Sequence, residues 1–180
     1  MKEGAAVLKI AVCDDEQLYL DKTRAMLEQY AAAHDVEITA EAFMNPSALL
    51  DSIEAGERHD IYLLDIYMPG VSGMSVATEL RSRGVRSPII FLTSSTEHAV
   101  EAFGVDATHY LLKPYTQQNV FAAMDKAMQS ISTHAEESIV LKIDGAYQNV
   151  TVSHILYCEA DNNYQRLWMK DGGTLLVRMT

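Results

Sequence analysis

The segment from Ile61 to Asp65 (IYLLD) decides the fold class, because it is a run of apolar residues that ends in a carboxylate. A second apolar run, Ile89 to Thr93 (IIFLT), ends in a hydroxyl and follows after a longer amphipathic stretch. Runs that are continuously apolar, rather than alternating, are typical of strands covered on both faces, as in parallel sheets flanked by helices. These two segments therefore predict the central strands of a parallel α/β sheet.

Short apolar runs alternate with longer amphipathic ones from Val7 to about Ile131, which is the order expected of repeated strand and helix units. Helices are predicted in the intervals, the first over Glu16 to Ala33 and the last over Gln117 to Ile131. Three further strands are predicted at Leu8 to Cys13, Val36 to Phe43 and His109 to Leu112. We expect a doubly wound, flavodoxin-like sheet of five parallel strands in the order 2-1-3-4-5.

The pattern changes after the polar stretch 132–137 (STHAEE), which predicts a linker between a first domain, 7–131, and a second segment, 138–180. This second segment consists of short β-type runs, and the sequence Asp171-Gly172 before the last of them is a hairpin signal. Its length is close to the limit of about 40 residues below which a domain rarely folds alone. We expect a small β-rich segment there.

The net charge of -11 argues against a chain that binds nucleic acid over its whole surface, so any contact with DNA must be local. Cys13 and Cys158 form neither a disulfide framework nor a zinc ligand set, and we expect both to be buried free thiols. Residues 1–6 do not resemble a signal peptide, and no apolar run approaches the length of about 18 residues that spans a bilayer. These features predict a soluble cytoplasmic protein with no membrane contact.

Acidic residues follow two strands that should be neighbours in this sheet. Asp14, Asp15 and Glu16 come directly after the first strand, and Asp65 ends the third. The carboxyl ends of these strands meet at the topological switch point, where open α/β sheets bind their ligands. Carboxylates that converge there repel one another unless a cation neutralises them, and oxygen ligands with open water positions suit Mg²⁺.

Thr93 ends the fourth strand and Lys113 follows the fifth, so a hydroxyl and an ammonium are predicted at the same edge. A cation and a lysine opposite a carboxylate are what phosphoryl transfer to that carboxylate requires, which makes Asp65 the candidate nucleophile. Each residue has an ordinary alternative: Asp14 can cap a helix or form a turn, Thr93 can cap the next helix, and Lys113 can be a solvated strand end. Capping explains their joint placement at one edge poorly.

These motifs resemble those of the receiver domains of two-component response regulators. The resemblance rests on Asp14-Asp15-Glu16, the segment 65–70 (DIYMPG) followed by Gly73, Thr93-Ser94, and the segment 110–114 (YLLKP), and it covers about residues 7–131. It implies that Asp65 accepts a phosphoryl group from a phosphohistidine on a sensor histidine kinase. The chain would then lose that group by self-dephosphorylation and would not be a turnover enzyme.

The resemblance also implies roles for the other residues of this edge. Asp15 and Asp65 would bind Mg²⁺ directly together with the backbone carbonyl of Tyr67, while Asp14 would act mainly through water. Lys113 would pair with the phosphoryl group.

Thr93 and Tyr110 are the implied switch. The Thr93 hydroxyl would move towards the added charge, and Tyr110 would rotate into the vacated space. This would reshape the face made by the fourth helix, the fifth strand and the fifth helix, a possible homodimer contact. Alone, Tyr110 reads equally well as a half-buried aromatic residue. A cis Lys113–Pro114 bond is also expected from the resemblance.

Tyr67 lies two residues after the candidate phosphoacceptor, and its bulk could shield an acyl phosphate from attacking water. An amide or acid at that position could instead orient the water. We therefore hypothesise slow autodephosphorylation.

Residues 140–179 resemble the first part of a LytTR-type DNA-binding domain. The resemblance rests on the segment 155–160 (ILYCEA), on Asn163-Tyr164 and on the Asp171-Gly172 turn. Loops of such domains enter the DNA grooves, which makes Asn163, Gln165 and Arg166 candidate contacts, although an exposed turn without a ligand is an equal alternative. Lysines and arginines balance acids in 138–180, and members of that family are about twice as long, so we expect a truncated transcriptional regulator.

The sequence shares features with three other functional classes. A receiver that acts only through protein contacts, because its output domain is incomplete, is the main alternative. An aspartyl-phosphate phosphatase needs an acid where this chain has Tyr67. A flavin-binding module needs a phosphate loop after the first strand, where Asp14, Asp15 and Glu16 would repel the phosphate.

Overall fold

The computed structural model describes residues 7–95, 104–135, 138–143, 146–161 and 164–178. The chain divides into two compact units, with the division between Ser130 and Ile131. Among the helices described, none combines the length and the hydrophobicity that a membrane crossing requires.

The first unit contains a five-stranded parallel sheet in the order β2-β1-β3-β4-β5, which confirms the predicted fold class. Its strands are β1 (Leu8–Cys13), β2 (Ile38–Phe43), β3 (Ile61–Asp65), β4 (Ile89–Thr93) and β5 (His109–Leu112). Every residue of β3 and β4 is buried. The continuous apolar runs thus lie where the sheet is covered on both faces.

The helices described in this unit are α1 (Gln17–His34), α2 (Pro46–Glu54), α3 (Gly73–Ser82) and α4 (Gln117–Ala135). Asn45 caps α2 by accepting a hydrogen bond from the Ala48 amide, and Ser72 caps α3 in the same way through the Ser75 amide. The interval between β4 and β5, where the fourth helix is predicted, falls largely on residues 96–103, outside the described residues. The helix labelled α4 is therefore the fifth of the predicted helices.

Two predicted boundaries differ from the structure by two residues or more, for local reasons. Strand β2 begins at Ile38 rather than Val36, because Asp35 ends α1 in the left-handed conformation and the Val36 amide still bonds to the carbonyl of Ala31. Helix α4 continues to Ala135, four residues into the predicted linker. The stretch 129–137 contains neither glycine nor proline, so nothing in it breaks the helix.

The second unit contains a five-stranded antiparallel sheet in the order β7-β6-β10-β9-β8. Its strands are β6 (Ser138–Ile143), β7 (Ala146–Thr151), β8 (Ile155–Asp161), β9 (Tyr164–Met169) and β10 (Thr174–Arg178). The predicted hairpin is confirmed, because β9 and β10 pair across the Asp171-Gly172 turn, where Gly172 has a positive φ of 85°.

Only a small core holds the second sheet together within the described residues. Its buried members are Ile143, Val150, Leu167 and Val177. Cys158 lies on the edge strand β8 and is exposed, so the expectation that both cysteines are buried is wrong for Cys158 and right for Cys13. An edge strand is covered on one side only, which leaves its apolar run accessible.

Candidate functional site

The predicted site residues of the first unit meet at the carboxyl edge of its sheet. Asp14 follows β1, Asp65 ends β3, Thr93 ends β4 and Lys113 follows β5. Asp14, Asp65 and Thr93 are buried. Strand pairing brings the last two elements into contact, since the Lys113 amide donates to the Thr93 carbonyl at 2.7 Å. Parallel pairing thus collects side chains from positions far apart in the sequence.

The ammonium of Lys113 bridges the two buried carboxylates. Its Nζ lies 2.7 Å from Asp14 Oδ2 and 2.8 Å from Asp65 Oδ2, while Glu16 Oε1 is more distant at 3.5 Å. The Lys113 side chain is only 4% exposed. Because the pairs are shielded from water, each interaction is stronger than a surface ion pair would be.

Burial and the Lys113 charge act on these pKa values in opposite directions. Burial raises the pKa of Asp14 and of Asp65, and hydrogen bonds from Lys113 offset only part of that rise. For Lys113 burial lowers the pKa, but the hydrogen bonds with Asp14 and Asp65 outweigh it and the pKa lies above its usual value. The lysine is therefore a fixed positive charge.

Three carboxylates at this edge can hold a metal ion together. Ligand oxygens of Asp14, Asp15 and Asp65 all lie within 4.8 Å of one another. One lysine balances only one of these three charges. Hard oxygen donors with an excess of negative charge are what a divalent cation such as Mg²⁺ requires, so the donor set fits this ion.

The backbone around Asp65 is held in place by close contacts. Asp65 Oδ1 accepts a hydrogen bond from the Tyr67 amide at 3.2 Å, and the Gly73 amide donates to the Ile66 carbonyl at 3.1 Å. A Cβ atom on Gly73 would lie 2.0 Å from the Asp65 carbonyl oxygen, which is impossible without a backbone shift. Glycine is therefore required at position 73.

The two predicted switch residues are connected through Ser95. Thr93 Oγ1 accepts a hydrogen bond from the Ser95 amide at 3.4 Å, and the Tyr110 hydroxyl donates to the Ser95 carbonyl. Tyr110 is partly buried and its ring lies 6.4 Å from that of Phe91. The predicted cis bond between Lys113 and Pro114 is confirmed.

Among the described candidate DNA contacts, Gln165 and Arg166 do not share one face of their sheet. Gln165 and Arg166 lie within strand β9 rather than in a loop, and Asn163 lies outside the described residues. Adjacent residues of a strand point to opposite faces of the sheet. Gln165 and Arg166 therefore lie on different faces of the sheet.

Sequence reasoning missed two side chains that support this unit. The Tyr19 ring lies over the Lys113 ammonium, 4.1 Å from centroid to Nζ. Arg81 binds four backbone carbonyls at 2.8 to 3.2 Å, those of Val85, Ser87, Val105 and Asp106. Tyr19 lies in the first turn of α1, and no local pattern indicates that its ring contacts a lysine that follows β5.

Comparison with known proteins adds a family match. A model of the "Response regulator receiver domain" matches residues 10–125. The sensory transduction protein LytT of Bacillus cereus is 31% identical over 136 residues, which cover 76% of this chain and 53% of that protein. The transcriptional regulatory protein BtsR of Escherichia coli K12 is 28% identical over 176 residues, covering 97% of this chain and 67% of BtsR.

Among solved structures, the response regulatory domain of protein mrkE from Klebsiella pneumoniae matches with a TM-score of 0.62 and 25% identity. The match covers 70% of this chain and 99% of that domain. The chain spans about half the length of the curated relatives that match it over the first unit.

Proposed function

Because the chain belongs to the response regulator family through its receiver domain, we propose that it is a phosphorylation-activated switch. Asp65 accepts a phosphoryl group from a phosphohistidine of a sensor histidine kinase. The observation that carries this proposal is the Lys113 ammonium, held within 2.8 Å of both Asp14 and Asp65 at the edge of the sheet. It places one fixed cation beside the candidate nucleophile.

In the transfer, an oxygen of Asp65 forms a bond to phosphorus while the bond from phosphorus to the histidine nitrogen breaks. The nitrogen keeps the electron pair of that bond. Lys113 lies where it can pair with a phosphoryl oxygen, because its ammonium already contacts Asp65 Oδ2. The Tyr67 amide holds the Asp65 carboxylate, and Gly73 packs against the Asp65 backbone, so that the nucleophile is positioned before the donor arrives.

Asp14, Asp15 and Asp65 would hold Mg²⁺, with Asp14 acting mainly through water and the Tyr67 backbone carbonyl as a further ligand. When bound, this ion neutralises charge on the phosphoryl oxygens. The fit of the donor set supports this assignment.

Thr93 and Tyr110 are the proposed switch residues. The phosphoryl group adds about 1.5 to 2 negative charges, which favours an inward position of the Thr93 hydroxyl. That movement breaks the contact of Thr93 with the Ser95 amide and affects Tyr110, whose hydroxyl donates to the carbonyl of the same serine. The affected surface includes β5 and α4, which we propose as a homodimer contact.

The proposed output is transcriptional control. On this view residues 7–131 are the receiver domain and residues 138–180 are part of a LytTR-type DNA-binding domain. The names of LytT and of the regulator BtsR, together with the extension of the BtsR match into the second unit, support this. A receiver that acts through protein contacts alone is the second candidate, supported by the small core of the second unit and the separation of Gln165 from Arg166.

Intact mass spectrometry tests the phosphorylation. The chain is incubated with acetyl phosphate and Mg²⁺, and a single phosphoryl adduct is expected on the wild type and on Asp51→Asn, an exposed control. No adduct should form on Asp65→Asn, or on the wild type when Mg²⁺ is removed with a chelator. A wild type without an adduct would contradict the proposal, and so would an adduct that persists in Asp65→Asn.

A further inference from the structure

The Lys113 ammonium contacts an aromatic ring as well as its carboxylates. Although Lys113 directly follows β5, at the edge of the sheet, its side chain is only 4% exposed. Asp14 and Asp65 contact the ammonium directly, and the face of the Tyr19 ring lies 4.1 Å from Nζ. The ammonium therefore lies against the carboxylates of Asp14 and Asp65 and an aromatic face, with the exposed carboxylate of Glu16 more distant at 3.5 Å.

The Tyr19 ring is itself held in place. Tyr19 lies in the first turn of α1, where its amide donates to the Glu16 carbonyl at 2.9 Å. Its ring packs against Tyr115 with the centroids 5.8 Å apart. Tyr115 is buried, and its hydroxyl shares a hydrogen bond of 2.6 Å with Thr23 of α1. The Tyr19 ring is thus held by its own helix, α1, and by Tyr115, which lies two positions after Lys113.

A ring contact differs from a carboxylate contact in what it allows the ammonium to do. The negative face of an aromatic ring attracts a cation without accepting one of its directed hydrogen bonds. Lysine has a flexible four-carbon stem, and holding it in one place costs side-chain entropy. A rigid ring reduces the positions open to the ammonium and leaves its N–H groups free to change partners.

We infer that Tyr19 is a positioning residue for phosphoryl transfer, which holds the Lys113 ammonium beside Asp65. This inference rests on the proposed function. During transfer the ammonium exchanges the Asp65 oxygen for a phosphoryl oxygen while the ring still covers it. Without the ring, the ammonium reaches other positions, and fewer encounters with a donor find it in place.

Three variants separate the ring from other properties of position 19. Tyr19→Phe keeps the aromatic face and removes the hydroxyl, whereas Tyr19→Leu keeps an apolar side chain and removes the face. Leu18→Ala is the matched control, because Leu18 is the neighbouring residue of α1 and is 73% exposed. Equal thermal midpoints across the three variants would show that changes in activity do not reflect unfolding.

A first measurement needs no phosphorylation. In chains with carbon-13-labelled lysine, the ε protons of Lys113 are assigned by their loss in Lys113→Arg. The aromatic ring current should shift them upfield in wild type and Tyr19→Phe, and the shift should disappear in Tyr19→Leu. The same shift in wild type and Tyr19→Leu would overturn the contact.

The second measurement is the phosphorylation rate at saturating acetyl phosphate and Mg²⁺. Tyr19→Leu should be about three- to tenfold slower, the range expected for a partly desolvated cation–π contact, while Tyr19→Phe and Leu18→Ala match the wild type. A wild-type rate in Tyr19→Leu, or an equal loss in Tyr19→Phe, would overturn the role of the ring. If the wild type takes no phosphoryl group, the proposed function fails, and the proton shifts alone decide whether Tyr19 positions the lysine.

Discussion

The two sheets of this chain differ in how fully their strands are buried. In the parallel sheet every residue of β3 and β4 is buried, and the adjoining edge holds buried charges. Among the described residues of the antiparallel sheet, four apolar residues are buried, one each from β6, β7, β9 and β10. Several large apolar residues of the second sheet are at least half exposed, namely Val140, Tyr147, Leu156 and Tyr157.

The two sheets are therefore suited to different tasks, the first to a buried reaction site and the second to contacts with other surfaces. Charges such as Asp14, Asp65 and Lys113 can be buried only where a rigid surrounding structure pairs them closely, since an unpaired buried charge is very costly. The parallel sheet provides that rigidity. A sheet with a small core and exposed apolar side chains is better suited to contacts with other surfaces than to a buried reaction site.

The largest effect is expected from Gly73→Ala, which forces a Cβ against the Asp65 carbonyl oxygen. The backbone must shift, at a cost of about 3 kcal/mol in the free energy of unfolding, because well-packed regions do not accommodate added atoms. Phosphorylation should also be lost. Gly104→Ala is the control, since no atom lies within 4 Å of its added Cβ. Equal urea unfolding curves for Gly73→Ala and Gly104→Ala would show that the backbone around Gly73 shifts at little cost, which contradicts a rigid parallel sheet.

Leu167→Ala should weaken the second sheet alone. Leu167 is one of its four buried residues, and its truncation should cost about 2 kcal/mol, at the low end for core leucines because a small core can collapse around the gap. Hydrogen exchange should then accelerate in residues 138–178 and stay unchanged in β1 to β5. Leu176→Ala, on the exposed face of the same sheet, is the control. Faster exchange in β3 or β4 would contradict the independence of the two sheets.

The smallest effect on stability is expected from Tyr67→Asn, at the carboxyl edge of the parallel sheet. The Tyr67 side chain is exposed, so unfolding should change little. The acyl phosphate should hydrolyse several-fold faster, because the bulk of the ring is replaced by an amide that can orient water. The decay of the phosphoryl adduct over time measures this, with Tyr67→Phe as the control that keeps the bulk. An unchanged or longer half-life in Tyr67→Asn would refute shielding by Tyr67.

The strands that carry the site were predictable because their signals are local. Four of the five parallel strands have the predicted bounds, since each apolar run ends at a polar residue, such as Asp65, or directly before one, such as Lys113. The start of β2 was not predictable in this way. A left-handed residue at Asp35 carries Val36 into the end of α1, and this depends on backbone geometry rather than on apolar pattern.

The residues of the site were predictable, but the side chains that hold them in place were not. The order of parallel strands brings Asp14, Asp65 and Lys113 together, and strand order follows from the alternating pattern. The contacts of Tyr19 and Arg81 depend on how helices lie against strands, which no single segment encodes.

The most direct test of the account is to locate the phosphoryl group. Borohydride reduces an aspartyl phosphate to homoserine, and peptide sequencing by mass spectrometry then identifies the converted residue after treatment with acetyl phosphate and Mg²⁺. The account predicts homoserine at position 65 and unchanged aspartates at positions 14 and 15. Conversion of Asp14 or Asp15 instead, or of no aspartate at all, would contradict the assignment of Asp65 as the phosphoacceptor.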